Sequence, residues 1–546
     1  MSEHMKDDRN GGNQDSEFDF TQTMAPVTSR PHGEADASGH DSTAAQVIAD
    51  RHHAAVRTAA TTVAAAVSAI LLVGVSAAAA IGLPFKSDGA AVTPASYNET
   101  VGQTQDTVYC PQRMTLADTA SYGDSEFQVD EGDVASSMLV AATGGVSNFY
   151  ASPMDSSAPA LDVTAASASI AAATADESAF AQATLSSSTD LSALFGSVAT
   201  WATDGDLTGL SATSCVVPAT SQRIIVPSTE TGWTEQLVLA NPNTLPASVT
   251  ITAWGTSQTG SLSLSTSASA TVDGGEETVV NLDASAKSEK ALVIDVDSGS
   301  IPLAAVVRSV YVDGLTPSGS DFAVPAVKPS TSLLIPGIDT NGDIAVTLFS
   351  QNKDADVSLT WLTEKGGRHA STVSLAAGRV DVENLGKAPD GAYALAVTST
   401  VDISAQVVST QSGTGQTDFA VADAVSASPT YGVAAPSDTS ATLVLANASE
   451  QDIGFDITTY DASGEVASTQ SVTVEGRTSQ HVSMDGVAAV VTNDGADDGA
   501  GTAVAAIVTQ KDVTAANAKG VAVVSGAPID VDAEVVTSTR DQRIVS

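Results

Sequence analysis

Two histidines lie in the long part of the chain after residue 90, and they are the only candidates there for an imidazole base. A hydrolytic triad needs such a base within hydrogen-bond reach of a nucleophile. His369 falls in the polar turn GGRHAST, and His481 falls in the strand-like segment TSQHVSM. Neither histidine is near a GxSxG nucleophile elbow, a motif that the sequence lacks. The sequence therefore predicts that the protein is not an enzyme and has no catalytic residues.

Two acidic segments are the candidates for binding a cation. Residues 339–343 (DTNGD) match part of a calcium loop, but they lack the third ligand position before the glycine and the final glutamate. A hairpin turn centred on Asn-Gly explains the same residues. Residues 493–499 (NDGADDG) form a second acidic loop, which is either a solvated insertion or a cation site. We predict no bound metal and no cofactor.

Cys110 and Cys215 are the only cysteines in the chain. In an oxidising compartment such a pair is a candidate disulfide. Closing so long a loop stabilises the fold by about 4–5 kcal/mol in the chain-entropy model. A metal site would need more ligands, and a reactive thiol would need a nearby histidine. We therefore predict a disulfide between Cys110 and Cys215.

One segment is apolar enough to cross a membrane. Residues 58–85 carry no charged side chain, and the helix-forming core of this segment, residues 63–83, would be about 31 Å long. Arg51 and Arg57 precede it, so the amino end is expected on the cytoplasmic side. The triplet at residues 77–79 (AAA) also fits a signal-peptidase site, which leaves two outcomes open, an uncleaved anchor or a cleaved signal. We predict a single-pass protein of the cell membrane with its carboxyl end outside.

Composition restricts the partners of the two flanking parts. Residues 1–57 are polar and lack apolar periodicity, which predicts a disordered tail. The chain has a formal net charge of −42, of which −37 belongs to the outer part. This charge excludes nucleic acid and anionic lipid as partners of the outer part, because both are polyanions. The remaining candidate partners are the membrane crossed by the single span, and a cell-wall polymer, glycan or envelope protein.

Three segments of the outer part resemble one another at a spacing of roughly 100 residues. Each contains a run of alternating residues, as in SVTITAW, where Val249, Ile251 and Ala253 share one face. Alternation with a period of two is typical of a half-buried strand. Seven or so short strands per repeat, separated by Gly, Asp, Asn and Ser, predict a β-sandwich, whereas a propeller blade would need four strands in about 45 residues. The matching runs are AAVVRS at Ala304, AQVVST at Ala405 and AAIVTQ at Ala505, and two repeats close with DFAV at Asp321 and Asp418.

These observations predict an all-β fold of tandem immunoglobulin-like β-sandwich domains after one transmembrane helix and a disordered amino-terminal tail. Residues 192–202 (SALFGSVATWA) are a candidate short helix. The predicted organisation is a cytoplasmic tail at 1–57, a transmembrane helix at 58–85, a disulfide-bonded β domain at 90–220, β-sandwich repeats at 221–329, 330–427 and 428–530, and a carboxyl tail at 531–546.

A Cys-Pro pair at Cys110, a second cysteine before the repeats, and the run LVLANP followed by an alternating strand carry a resemblance to a known family. The outer chain resembles an actinobacterial family of membrane-anchored or secreted proteins that is known only as a domain of unknown function. The resemblance implies one amino-terminal helix, a cysteine pair and β repeats, and it implies no catalytic residues.

The sequence thus predicts an envelope protein whose outer β domains serve as a non-enzymatic spacer, scaffold or binding module at the cell surface. The alternative is an accessory subunit of an envelope enzyme or exporter.

Overall fold

The structure is a computed structural model. It describes residues 96–101, 103–117, 130–154, 159–186, 192–264, 268–413, 416–495, 499–529 and 534–539. The predicted tail at 1–57 and the predicted membrane helix at 58–85 lie outside these residues. In the described ranges, no helix has the length and apolar character needed to span a membrane. The chain divides into two compact units, and all described residues belong to the second one, Pro94–Ser546.

The described part is all-β, and its strands fall into four consecutive repeats. The first repeat contains β2 (Gln103–Cys110), β3 (Ala135–Thr143), β4 (Val146–Pro153), β5 (Val163–Ala165), β6 (Ala168–Ala173), β7 (Ala179–Ser186), β8 (Ala193–Ala202) and β9 (Gly209–Ser214). The second contains β10 (Ser221–Val226), β11 (Trp233–Ala240), β12 (Ala247–Gly255), β13 (Ser269–Val272), β14 (Glu277–Asn281), helix α1 (Leu282–Ser285), β15 (Leu292–Asp297), β16 (Ala304–Asp313) and β17 (Thr316–Ala323).

The third and fourth repeats continue the same pattern. The third contains β18 (Ser330–Pro336), β19 (Asp343–Ser350), β20 (Ala355–Thr363), β21 (Gly366–Leu375), β22 (Arg379–Lys387), β23 (Ala392–Ser412) and β24 (Thr417–Asp423). The fourth contains β25 (Thr430–Ala434), β26 (Thr439–Asn447), β27 (Ile453–Tyr460), β28 (Val466–Val474), β29 (Thr478–Ser483), β30 (Ala488–Asn493), β31 (Thr502–Gln510), helix α2 (Lys511–Ala515) and β32 (Ala522–Ser525). Three further strands are β1 (Ser96–Val101), β33 (Ala527–Pro528) and β34 (Glu534–Thr539).

Each repeat folds into two antiparallel sheets with the same strand order. In the second repeat the front sheet is β10-β15-β12-β13 and the back sheet is β14-β11-β16-β17. The fourth repeat has the same order in β25-β30-β27-β28 and β29-β26-β31-β32. In the third repeat the long strand β23 belongs to both sheets, because its first half pairs with β18 and β20 and its second half pairs with β19 and β24.

The first repeat, which the sequence suggested to be a different β domain, has the same order with one change. Its front sheet is β2-β7-β4, and its back sheet is β5-β6-β3-β8-β9. The short strand β5 has moved from the edge of the front sheet to the edge of the back sheet, where it pairs with β6. The described part of the chain therefore contains four copies of one topology.

A core of apolar side chains separates the front and back sheets of each repeat. In the second repeat, Val249 and Ile251 of the front sheet share a core with Leu237 and Val307 of the back sheet. The strand β12 alternates between buried and exposed residues as its sequence predicts, with Ser248 and Thr250 exposed. This alternation is the pattern of a strand buried on one face.

Part of the outer face of each sheet is covered as well, because the four repeats pack in a closed ring. The front sheet of each repeat packs on the back sheet of the next, and the front sheet of the fourth packs on the back sheet of the first. At each interface, apolar side chains of the two repeats share one cluster. Examples in chain order are Tyr109 with Phe322, Trp254 with Phe349, Leu334 with the core residues of the fourth repeat, and Tyr460 with Phe195. Such head-to-tail contacts form a ring when the rotation between neighbours closes.

Ring closure explains why the prediction of a helix at residues 192–202 is wrong. These residues form strand β8, which is buried over nearly its whole length and lies between β3 and β9. A strand covered on both faces has no polar alternation, so its sequence of small and apolar residues resembles that of a buried helix. Ring closure also fits the aromatic content of only 4%, since small side chains let sheets stack on both faces.

The four last strands of the repeats lie at the centre of the ring. We call them the axial strands: β9, β17, β24 and β32. Each axial strand is the edge strand of its back sheet, and β9 contacts β17 and β32, while β24 also contacts both of these strands. Outside the four repeats, β1 pairs with β34, and this pair joins the start of the described part to its end.

The interface between the fourth and first repeats leaves no space for a side chain at Gly432. A Cβ atom at this position would lie 2.3 Å from Cδ1 of Phe195, which is buried. Replacing Gly432 with alanine should lower the free energy of unfolding by about 1–3 kcal/mol, because the packed ring cannot move aside freely. Urea unfolding of the full-length chain in detergent micelles, followed by tryptophan fluorescence, measures the loss.

The matched control for this substitution is Gly367→Ala in strand β21. There the nearest atom to the added methyl group would be Cγ2 of Thr360 at 3.4 Å, and the residue is exposed. Equal stabilities for the Gly432→Ala and Gly367→Ala proteins would contradict the tight contact between the two repeats.

Candidate functional site

Two buried carboxylates connect the axial strands. Oδ1 of Asp321 accepts a hydrogen bond from the backbone N–H of Ala212 at 3.2 Å, and Oδ2 accepts one from Val421 at 2.7 Å. Oδ2 of Asp418 accepts from the N–H of Leu210 at 3.1 Å. Asp321 therefore links the axial strands of the first, second and third repeats, and Asp418 links those of the first and third.

The position of these strands explains the need for carboxylates. An edge strand presents unpaired N–H groups, and burying such a group without an acceptor costs free energy. Two glycines let Asp418 approach closely: a Cβ at Gly209 or Gly319 would lie 2.7 or 2.5 Å from its carboxylate oxygens, and their φ values of 137° and 107° also disfavour other residues. The axial carboxylates take the place of a pairing strand.

Burial has an electrostatic cost at both positions. Desolvation raises the pKa of Asp321 and the pKa of Asp418 well above the ordinary range of an aspartate. The negative charge of Asp321 raises the pKa of Asp418 further, while the backbone N–H donors act in the opposite direction. The axial strand of the fourth repeat, β32, contains no aspartate. Its connection is made by Gln416, which precedes β24 of the third repeat: its amide donates to the carbonyls of Thr208 and Lys519, and its side-chain oxygen accepts from the N–H of Lys519.

A cavity of about 680 Å³ lies where the axial strands end. Its wall includes the segments that follow all four strands, through Val217, Pro325, Ser426 and Pro528. Loops of the second repeat contribute Pro242, Asn243 and Pro302 to the same wall. A concave site of this volume with mostly apolar walls is typical of a ligand-binding site. We call it the axial cavity and take it as the candidate functional site.

The charged groups of the axial cavity are all acidic. Asp106 and Asp423 are its charged lining residues, and no lysine, arginine or histidine is present among the described residues that line it. Asp423 is buried, with 6% of its surface exposed, and its Oδ1 accepts a hydrogen bond from Nε2 of Gln406 at 2.8 Å. Desolvation raises the pKa of Asp423 to about 6, and the bond from Gln406 opposes part of this rise. Desolvation also raises the pKa of Asp106.

The predicted cysteine pair lies at the edge of this site. Cys110 and Cys215 form a disulfide bond, with their Cα atoms 4.4 Å apart. Cys215 lines the axial cavity, and the adjacent Val216 exchanges two backbone hydrogen bonds of 2.8 Å with Tyr109. The disulfide therefore ties the front sheet of the first repeat to the segment that leaves its axial strand.

The other sequence candidates are not brought together. His369 and His481 are exposed on strands β21 and β29, away from the axial cavity. In residues 339–343, Oδ1 of Asp339 accepts from the backbone N–H of Asn341 at 3.0 Å, which is a local turn contact. Among the described residues, no group of three or more His, Cys, Asp or Glu is placed to hold a metal ion. In residues 493–499, positions 496–498 lie outside the described part of the chain.

The LxLAN motif has a structural role. Asn241 and Asn447 occupy the same position in the second and fourth repeats, and both are fully buried. The amide of each asparagine donates to a carbonyl four residues later and to a carbonyl at the end of the repeat's fourth strand. These bonds run from Asn241 to Leu245 (2.8 Å) and Val272 (3.1 Å), and from Asn447 to Gln451 (2.7 Å) and Val474 (3.0 Å).

The residues that sequence analysis missed are Asp321, Asp418 and Asp423. The sequence interpretation treats the repeated DFAV run only as a closing strand. The signal in the sequence is an aspartate placed directly beside apolar residues, as in DFAV and VAD, because a buried charge needs a specific partner.

The pKa of Asp423 generates a prediction about stability and pH. Because this pKa is higher in the folded state than in the unfolded chain, the stabilisation is complete below about pH 4 and is lost as the pH rises through about 6. Each pKa unit is worth about 1.4 kcal/mol, so the loss amounts to about 3 kcal/mol. Asp423→Asn cannot ionise and keeps an acceptor for Gln406. Its free energy of unfolding relative to the native chain should therefore rise by up to about 3 kcal/mol between pH 4 and pH 8.

Urea unfolding at several pH values measures this difference. The control is Ser426→Ala, which changes another residue of the cavity wall but removes no titrating group. The interpretation is wrong if the difference between Asp423→Asn and the native chain is constant across this range.

Comparison with known proteins gives one match. The model of a family of unknown function, DUF5719, matches residues 164–485, which begin within the first repeat and end within the fourth. No curated protein and no solved structure matches the chain. The family match covers more than half of the 546 residues, and it agrees with the resemblance carried by the LVLANP run. The chain therefore belongs to this family of unknown function, DUF5719.

Proposed function

We propose that the protein is a non-enzymatic binding module of the cell envelope, and that the axial cavity is its binding site. The observation that carries the proposal is the position of the cavity: it lies on the axis of the ring and takes wall residues from all four repeats. A site built by every repeat gives a reason for the repeats to form a ring. Its volume of about 680 Å³ suits a small molecule or the end of a polymer chain.

A binding module is favoured over a simple spacer by the arrangement of the repeats. A spacer gains reach when its domains are joined end to end, and each domain then keeps a solvated surface. In this protein part of the front sheet of each repeat is covered by the back sheet of the next, and the front sheet of the fourth by the back sheet of the first. This packing sacrifices length and makes a compact body with one central site.

The proposed location follows from the sequence. Residues 58–85 would anchor the chain as a single membrane helix, with the tail at 1–57 inside the cell and the repeats outside. The disulfide and the strongly acidic composition suit an extracellular domain. We further propose that the repeats are immunoglobulin-like sandwiches in tandem, and their two-sheet organisation with a switched edge strand in the first repeat supports this assignment.

The binding proposal predicts that a larger side chain in the cavity blocks ligand uptake. Val327 lines the cavity and is half-buried, so Val327→Trp should fill part of its volume. The test is equilibrium dialysis of the full-length chain in detergent micelles against a mixture of small aliphatic fragments, neutral, cationic and anionic, with mass spectrometry before and after. Fragments should be retained by the native chain, recovered unchanged, and lost from Val327→Trp.

The matched control is Val466→Trp, which changes a valine on β28 that is 48% exposed and does not line the cavity. Retention by Val327→Trp equal to that by the control would reject the cavity as the binding site. Recovery of chemically altered fragments would reject the non-enzymatic assignment.

The proposed anchor predicts the orientation of both chain ends. With one tag at each end of the full-length protein, protease added to intact cells should remove the carboxyl-terminal tag and spare the amino-terminal one. Lysed cells, in which both tags should be digested, are the control. An amino-terminal tag missing from the mature protein would instead indicate cleavage near residues 77–79.

One observation favours the second candidate, an accessory subunit of an envelope enzyme or exporter. Val217, in the cavity wall, is 67% exposed, and Leu245, close in sequence to the lining residue Asn243, is 65% exposed. Exposed apolar groups near a site suit contact with another protein. Crosslinking in intact cells tests this role: a stoichiometric membrane partner lost on Val217→Asp and Leu245→Asp substitution would support it.

A further inference from the structure

We propose that the axial cavity selects ligands that carry a primary ammonium group on an aliphatic chain, with Asp423 as the residue that pairs with the ammonium. The inference rests on the proposed function, because it names the class of ligand for the same site. It depends on the charges of the cavity wall, on the unfilled bonding capacity of one buried carboxylate, and on the shape and chemistry of the apolar surface.

The charges of the wall exclude anions. Asp106 and Asp423 are its ionisable groups among the described residues, and no cationic side chain is present to offset them. A phosphate or carboxylate ligand would enter a low-dielectric site next to charges of its own sign, and among the described lining residues it would find no cationic side chain to pair with. A cation is attracted by the same two groups and by the net charge of −42.

Asp423 has the capacity to bind a further donor. An ionised carboxylate has four lone-pair positions. Among the described residues, Gln406 is the only side chain that donates to Asp423, and it reaches only Oδ1. The second hydrogen of the same amide is held by the carbonyl of Ile225 at 3.0 Å, so Gln406 cannot turn to satisfy both oxygens. A ligand donor can therefore complete the coordination of Oδ2.

An ammonium group matches this requirement better than a hydroxyl group. It has three donors and no acceptor, so it adds no lone pair that the acidic wall would leave unsatisfied. It also compensates the charge of Asp423, a residue with only 6% of its surface exposed. A buried charge pair with good geometry is worth more than the same contact at the surface.

The remaining wall selects an aliphatic body. Valines and prolines such as Val217, Val324, Pro218 and Pro325 form much of the surface, and Phe195 is the one aromatic residue among the lining residues described. Phe195 is only 2% exposed, so it offers little ring surface on which an aromatic ligand could stack. Flexible alkyl groups can follow a surface of small branched side chains.

The test compares three probes of equal length with the full-length chain in detergent micelles at pH 8: pentylammonium, pentanol and pentanoate. Isothermal titration calorimetry should show that pentylammonium binds at least about tenfold more tightly than pentanol, because it adds a charged contact to the same apolar burial. Pentanoate should bind more weakly than pentanol. Asp423→Asn should reduce the affinity for pentylammonium about tenfold and leave that for pentanol within about twofold.

Two controls keep the outcomes separate. Asp402→Asn removes an exposed acid on strand β23 that does not line the cavity, and it should leave the preference for pentylammonium intact. Val327→Trp should weaken the binding of all three probes if they bind in the cavity.

Equal affinities for pentylammonium and pentanol, or a preference that survives Asp423→Asn, would overturn the ligand class while the binding function stands. Failure of every probe to compete with a retained fragment at the cavity would overturn the inference as well, and failure of all fragments to bind would overturn the proposed function itself.

Discussion

The ring depends on how the edges of its sheets are terminated at the axis. Four edge strands meet there, and their outward-facing N–H groups have neither solvent nor another strand to bond with. Asp321 and Asp418 supply the acceptors, each bonding to backbone groups of neighbouring repeats. Natural sheets commonly protect an edge with charge facing water. Here the carboxylates face the backbone of neighbouring repeats, so the groups that protect the sheet edges also hold the repeats together.

This joint determines what else the ring must contain. The carboxylate of Asp418 lies against the backbone of Gly209 and Gly319, so these axial strands can approach closely only because both positions lack a side chain. Beyond these contacts the strands give way to segments that contain proline, which has no backbone N–H to donate, and the axial cavity opens. The axis is therefore closed where the axial strands contact one another and open beyond their ends. Asp423 lies at the boundary, at the end of the axial strand β24 and in the cavity wall.

Much of the fold of a single repeat could be predicted from the sequence, and the ring could not. Strand β12 is exposed on one side, so its alternation is visible and its assignment is correct. Strand β8 is buried on both sides, so its sequence carries no period. The run AQVVST shows the same problem at finer scale: its core-facing residues are Ala405 and Val407, whereas the matching run of the second repeat turns Ala305 and Val307 to the core, one position later. Because neighbouring positions on both faces of such a strand are buried, a shift of one residue is hard to see in the sequence pattern. The candidate site could not be predicted for a related reason, because the role of a buried aspartate becomes visible only when the backbone groups that it bonds to are known.

The pairing of β1 with β34 has a consequence for the order of folding. This contact joins residues 96–101 to residues 534–539, so almost the whole described chain lies between its two strands. Contacts of such high sequence separation form late, since the chain entropy between them is lost before they contribute stability. The sheets within a repeat are local by comparison and can form first. Until the fourth repeat arrives, however, the back sheet of the first has no neighbour, and its apolar outer face remains open. A chain interrupted before its last repeat is therefore expected to form an open ring. An apolar sheet face would be exposed at each end of that ring, which favours association with other chains.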